Sequence, residues 1–246
     1  MICFVSIEHE SWLEDPDHHF NHLAYCMDVK LKVEALTGQP CLVQQYTELT
    51  HQRLQELNLS ALLISGNAAD WYHYDSAELA ELCDLIRAAE WPILGFCGGL
   101  QLIAMAHGAE IAPMRPLRAG EPDVTNLSAP GYLKEWGFTP VDVVEADPIF
   151  DGLGTAPVFL EVHYCEVKDL PPDFRHLATS RDCAIQAMVR CDRPVYGVQF
   201  HPEAYTEQPH DRRNPLVNLV YPDGYPEARP AGRDLLASFF RIAGIL

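Results

Sequence analysis

Three residues of this 246-residue chain combine the right side-chain types and spacing for attack on an amide: Cys97, His201 and Glu203. Cys97 ends the apolar run Pro92-Ile93-Leu94-Gly95-Phe96 and is followed by Gly98-Gly99-Leu100-Gln101. This pattern predicts a strand that stops at the thiol and a helix that starts directly after it, with Gly95 and Gly99 clearing space for a sharp turn. There the thiol meets the free N–H groups and the positive end of a helix, both of which favour thiolate. The N–H of Gly98 is then aimed where the oxygen of an attacked carbonyl would collect charge.

The second constellation is Tyr196-Gly197-Val198-Gln199-Phe200-His201-Pro202-Glu203. In extended chain, residues i and i+2 project to one side, and Pro202 restrains the residue before it to extended geometry. Glu203 can therefore reach the His201 ring, hold one tautomer and steady the imidazolium formed when the ring takes a proton. Cys97, His201 and Glu203 read together as nucleophile, base and orienting acid. Their chain order differs from that of α/β-hydrolases, where the acid precedes the histidine. Cys97 is also far from the N-terminal placement of papain-like nucleophiles.

The elements that must position these groups follow from periodicity. Buried strands are expected at 2–7, 40–44, 61–65 and 92–96, with helices at 19–36, 76–89 and 98–107. On the first helix, Phe20, Leu23, Met27, Leu31 and Val33 have helical spacing, and Gly38 stops it. Strand–helix alternation argues for an α/β fold with a flavodoxin-like, mostly parallel central sheet and helices on both faces. The second half has closely spaced short strands at 141–144, 158–162, 177–180, 184–189 and 195–200, expected to form a smaller antiparallel or mixed region, and a last helix at 231–242. Residues 1–246 read as one domain with two long proline-bearing loops, at about 113–133 and 204–230.

Bulk composition narrows the partners. Asp and Glu number 35 against 17 Lys and Arg, a formal charge of −18 that repels phosphate backbones and anionic membrane surfaces, so nucleic acid and membrane are not expected partners. No apolar run is long enough for a membrane span and the start has no basic leader, so a cytoplasmic location is expected. The eight cysteines include no C-x-x-C pair; Cys165 and Cys183 read as strand core. His18, His19 and His22 read as an exposed helix start rather than a metal site, and Trp12, Trp71 and Tyr72 either rim a pocket or pack. No metal and no cofactor is expected.

The two constellations resemble the class I (triad-type) glutamine amidotransferases, most closely those forming the glutaminase part of GMP synthetase. Pro92–Gln101 matches the P-x-x-G-x-C-x-G-x-Q signature and Gly197–Glu203 matches G-x-Q-F-H-P-E. Weaker echoes lie in Lys134-Glu135-Trp136-Gly137-Phe138 and in Val162-His163-Tyr164-Cys165-Glu166-Val167. The resemblance implies that Cys97 attacks the side-chain amide of glutamine, forms a γ-glutamyl thioester and releases ammonia, after which water frees glutamate. It implies substrate contacts from Gln101 and from the backbone around His163 and Tyr164. It also implies a second oxyanion donor in Ser65-Gly66-Asn67-Ala68, where the family has S-G-G-P. Asn67 and Ala68 depart from that turn, as Glu8-His9-Glu10 departs from the usual first-strand exit. The implied partners are glutamine or another γ-glutamyl substrate and a separate synthetase subunit that receives the ammonia. A hydrolase of other γ-glutamyl compounds and a non-catalytic binding or regulatory module on the same fold are the alternatives.

Overall fold

A computed structural model describes residues 1–125, 128–206, 214–222 and 231–246. Five strands form a parallel block: β1 (Ile2–Ser6), β2 (Cys41–Gln45), β3 (Ala61–Ile64), β4 (Ile93–Phe96) and, from the far end of the chain, the strand Val195–Val198. In chain order the remaining strands are β5 (Ile111–Pro113), β6 (Glu135–Pro140), β7 (Asp142–Val143), β8 (Val158–His163), β9 (Cys165–Val167), β10 (Phe174–Thr179) and β11 (Ala187–Arg190), which makes Val195–Val198 β12. The main sheet has the order β2-β1-β3-β4-β12-β11-β10-β7. β12 pairs parallel with β4, then β11, β10 and β7 continue the sheet antiparallel. Two antiparallel pairs, β5 with β9 and β6 with β8, stand apart from it. The α/β class is as expected, with one correction of detail. The strand grouped by sequence with the antiparallel region completes the parallel block, because its Val-Tyr-Gly-Val run is buried throughout and lies beside β4.

Alternation along the strands splits the core between the two faces of the sheet. Ile2 and Phe4 of β1 point to one face with α2 (Pro16–Thr37) and α7 (Gly232–Ile242). Cys3 and Val5 point to the other with α3 (His51–Glu56), α4 (Ser76–Ala88) and α5 (Gly98–Ala106).

Helix α2 starts earlier than its periodicity predicts. Asp15 caps it through the N–H groups of Asp17 and His18, Pro16 fills its first turn, and the short helix α1 (Glu10–Leu13) precedes it. Its buried face is Tyr25, Cys26, Val29 and Val33; of the residues picked out by helical spacing only Val33 lies on it, and Phe20, Leu23, Met27 and Leu31 are exposed. Two apolar rows run along this helix, and periodicity alone does not choose between them. The row that wins carries Tyr25, whose hydroxyl finds a buried partner.

The described parts of both long loops carry defined contacts. In 113–133, Pro116 bridges to Tyr132 and Arg115 forms a bidentate ion pair with Glu121 at 2.6 and 2.8 Å. The 204–230 stretch contains helix α6 (Pro215–Val220), capped by Asn214 and packed against α2; residues 207–213 and 223–230 lie outside the described residues.

Candidate active site

Cys97 stands between β4 and α5 with φ 49°, ψ −106°, a strained backbone for a residue with a β-carbon. Its N–H is held by Val198 O on β12 at 2.8 Å and its carbonyl by Gln101 N at 3.1 Å, so the sheet and the helix hold the bend from both sides. A β-carbon at Gly95 would lie 2.5 Å from the Gly99 carbonyl carbon, and one at Gly99 would lie 2.5 Å from Ile64 O. The turn is therefore too tight for any side chain at either position.

β12 emerges beside β4, and the chain runs on through Gln199 and Phe200 to His201 and Glu203. His201 N bonds Leu160 O of β8 at 2.9 Å, and Phe200 stacks on Phe159 with ring centroids 3.9 Å apart. Glu203 Oε1 accepts from His201 Nδ1 at 2.7 Å; the Cys97 thiol, 3.9 Å from Val162 O, lies near enough to the same ring to bear on its charge. Gly66 sits against both partners: a β-carbon there would be 3.1 Å from His201 Cε1 and 3.3 Å from Cys97 Cβ. Burial pulls the His201 pKa down, but the Glu203 carboxylate and the Cys97 sulfur outweigh it and carry the ring up to about 10. The structure thus gathers Cys97, His201 and Glu203 at one point.

Other expected residues are placed as follows. Gly66 and Asn67 form the loop after β3, and Gly98 faces it: a β-carbon on Gly98 would fall 1.8 Å from Asn67 Oδ1 and 3.1 Å from Asn67 N. Among the described residues, neither the Asn67 nor the Gly98 N–H has an acceptor. Gln101 is buried, donates to Cys165 O at 2.9 Å and accepts from Trp71 Nε1 at 2.7 Å, so it holds the pocket wall together. Tyr164 lines the cavity, with its carbonyl bonded by Met114 N. The His163 side chain bonds Glu135 at 2.8 Å and lies 3.3 Å from Glu161, while Nδ1 faces Cys165 O at 3.0 Å.

A cavity of about 720 Å³ opens over the thiol, walled by Trp12, Trp71, Trp136, His22, Leu216 and Leu219 among others. Trp12 and Trp71 are thus rim residues, whereas Tyr72 is exposed elsewhere. His18 and His19 are exposed as expected, but His22 is half-buried, 2.7 Å from Ser6 Oγ, and burial lowers its pKa to about 4. Cys165 is a half-buried cavity residue on β9, and Cys183 is buried in the turn before β11 rather than in a strand. Glu135, His163 and Cys183 bring ligand-type atoms within 4.8 Å of one another. Both His163 nitrogens face oxygen acceptors, however, so both need protons and neither keeps a lone pair for a metal.

Sequence reasoning missed four contributors. Tyr25 donates from α2 to Glu203 Oε1 at 2.8 Å, and Lys32 from the same helix holds the Glu203 carbonyl at 2.8 Å. Gln199 donates to the Cys97 sulfur at 3.5 Å; its place inside the Q-F-H-P-E run was the signal that could have found it. Glu8, the acid in the unusual exit of β1, accepts from the loop that carries Asn67.

The family model for class-I glutamine amidotransferase matches residues 29–217, most of the chain, including Cys97, His201 and Glu203. The chain belongs to the class I glutamine amidotransferase family. Among curated relatives it is 34% identical over 159 residues to the glutamine-hydrolyzing GMP synthase subunit of Pyrococcus abyssi, covering 64% of this chain and 74% of that one. It is 39% identical over 122 residues to the corresponding GMP synthase subunit of Methanothermobacter thermautotrophicus, covering 50% of this chain and 56% of that one, so it spans little more than half of that relative. A glutamine amidotransferase from Thermotoga maritima shares the fold, with a TM-score of 0.70 at 17% identity over 99% of this chain and 97% of that one. Among the described residues no helix is long and apolar enough to cross a membrane.

Proposed function

We propose that the chain hydrolyses the side-chain amide of glutamine and delivers the ammonia to a separate synthetase subunit. The observation that carries this reading is the His201 ring bonded to the Glu203 carboxylate at 2.7 Å, with Cys97 against the same glycine, Gly66, that the ring packs on. The Cys97 thiolate adds to the amide carbon, and the carbonyl oxygen takes the negative charge beside the Asn67 and Gly98 N–H groups. His201 gives its proton to the departing nitrogen, the C–N bond breaks and ammonia leaves a γ-glutamyl thioester. Water, deprotonated by His201, then opens the thioester to glutamate and restores the thiol. The ring gives up its proton in the first half and takes one from water in the second, and Glu203 stabilises the charged state in each half.

Likeness to the glutamine-hydrolyzing subunits of GMP synthase supports glutamine as the substrate and a synthetase as the acceptor partner. The test is glutamate release from glutamine by the purified chain, alone and in the presence of a GMP synthase synthetase subunit. Turnover that emerges or rises with that partner fits the proposal; none in either condition refutes it. The breadth and aromatic walls of the cavity favour a second reading, hydrolysis of γ-glutamyl compounds with larger amine groups. A kcat/KM for γ-glutamyl-anilides or γ-glutamyl peptides above that for glutamine selects it.

A further inference from the structure

Two departures of this chain from its family's pattern touch each other. Glu8, four per cent exposed at the end of β1, spreads its carboxylate over consecutive N–H groups of the loop after β3. Oε2 accepts from Ala68 N at 2.7 Å, and Oε1 accepts from Ala69 N at 3.0 Å and from His9 N at 3.1 Å. The Ala68 N–H exists to be bound only because alanine, not proline, occupies that position. Glu8 is itself anchored: its carbonyl accepts from Gln45 Nε2 at 2.5 Å, and the preceding Ile7 N bonds Ser65 Oγ at 2.9 Å. One residue upstream of Ala68, the Asn67 N–H stands free beside Gly98, and Asn67 Nδ2 closes the turn onto Ala69 O at 2.7 Å.

We propose that Glu8 is a positioning residue for the oxyanion site, its buried carboxylate locking residues 67–69 so that the Asn67 N–H points at the oxygen of the attacked amide. A proline ring would stiffen this turn by fixing φ; here an ionic clamp from a neighbouring strand does so. Glu8 borders the cavity, but both of its carboxylate oxygens are bound to backbone N–H groups, so the effect assigned to it is on the aim of one donor. The inference rests on the amide-hydrolysis reading above.

The test compares Glu8→Gln and Glu8→Ala with the wild type in three measurements. The first is steady-state glutamine hydrolysis. Loss of one oxyanion donor lowers kcat by about 10²–10³-fold, and a misaimed donor is expected to cost about 10–100-fold in Glu8→Ala with KM little changed. Glu8→Gln, which keeps the shape but only one accepting oxygen, falls between. The second is affinity for glutamate γ-semialdehyde, whose thiohemiacetal oxygen would occupy the same site and which should weaken in parallel with kcat. The third is alkylation of Cys97 by iodoacetamide, a displacement that needs no oxyanion donor and should keep its wild-type rate. Ala68→Pro deletes the Ala68 N–H, so in that background Glu8→Gln should cost less than it does alone. If Glu8→Ala does not fold, Glu8→Gln carries the same comparison. Equal losses in hydrolysis and alkylation, a change confined to KM, or unchanged kcat overturns the role of Glu8 while leaving the hydrolase reading intact. A wild-type chain inert toward all γ-glutamyl substrates overturns both.

Discussion

Two histidines lie buried within the same pocket wall, both driven toward the charged form, and their surroundings give them opposite character. His163 has oxygen on every side: Cys165 O at Nδ1, and Glu135 and Glu161 at Nε2. Burial opposes its charge, yet the two carboxylates push its pKa well above the ordinary value. Glu135 also accepts from Ser180 and Gln186, and these bonds with the ring overcome burial to lower its pKa. Glu161 has no such support; buried, with only the His163 ring 3.3 Å away, it is raised to about 7. His163 is therefore a proton held in place. His201 has one carboxylate on Nδ1 and, beside the ring, the Cys97 sulfur in place of a second carboxylate. Its proton has somewhere to go. Reactivity here is set by whether a thiol or a second carboxylate lies beside the ring, since burial is the same for both rings.

That comparison can be broken at several points. Cys97→Ala should abolish glutamine hydrolysis, at least about 10⁴-fold, while the chain stays folded, since the missing sulfur leaves the turn's backbone bonds in place. In that variant, histidine-selective nitrogen NMR should show His201 losing its proton at lower pH than in the wild type, with His163 unmoved. A shift of both rings would erase the distinction drawn between them.

The opposite signature is expected at His163. Replacing it with Gln leaves Glu135 and Glu161 facing each other without a cation, which should cost about 3–5 kcal/mol of stability by chemical denaturation. Iodoacetamide should still alkylate Cys97 of the folded fraction at close to the wild-type rate. A variant that keeps its stability but loses thiol reactivity would make His163 part of the chemistry.

Tyr25→Phe removes one hydrogen bond to the Glu203 carboxylate and little volume. A kcat about tenfold lower is expected, together with a loss of about 1–3 kcal/mol of stability by chemical denaturation, since a buried bond to a charged group is lost.

The smallest effect is on the pH dependence of stability. The folded chain keeps the His201 proton up to about 10, whereas an unfolded chain releases it near 6.5. The stabilisation from this group is complete below pH 6.5 and drains away as pH rises from there toward 10, and His163 acts in the same direction. Because the Cys97 sulfur supplies part of the His201 shift, Cys97→Ala should flatten the decline in the denaturant midpoint across this range. An identical slope in both proteins would remove the thiol from the account.

The legible part of the site is the part built from neighbours in sequence. Cys97 with its glycines, and His201 with Glu203 across Pro202, are each specified within a few residues, because a tight turn and an extended i, i+2 pair are local geometries. The parallel block was readable too, since β1, β3 and β4 are continuous apolar runs with helices between them. The illegible part came from contacts across long separations. Tyr25 lies 178 positions before Glu203, and Glu8 lies 60 before Ala68. Helix α2 shows why: of the row Phe20, Leu23, Met27, Leu31 and Val33 that its periodicity offered, packing kept only Val33 inside and added Tyr25, Cys26 and Val29.

Linear order was enough to specify which atoms could react and the local backbone that presents them, because those depend on sterics and hydrogen bonding over a few residues. Only the packed fold settled which strand lies beside β4, which face of α2 turns inward, and hence which distant groups set the charge on each histidine. Those outcomes depend on burial and electrostatics summed over the whole sheet and its helices, and no short window of residues contains them.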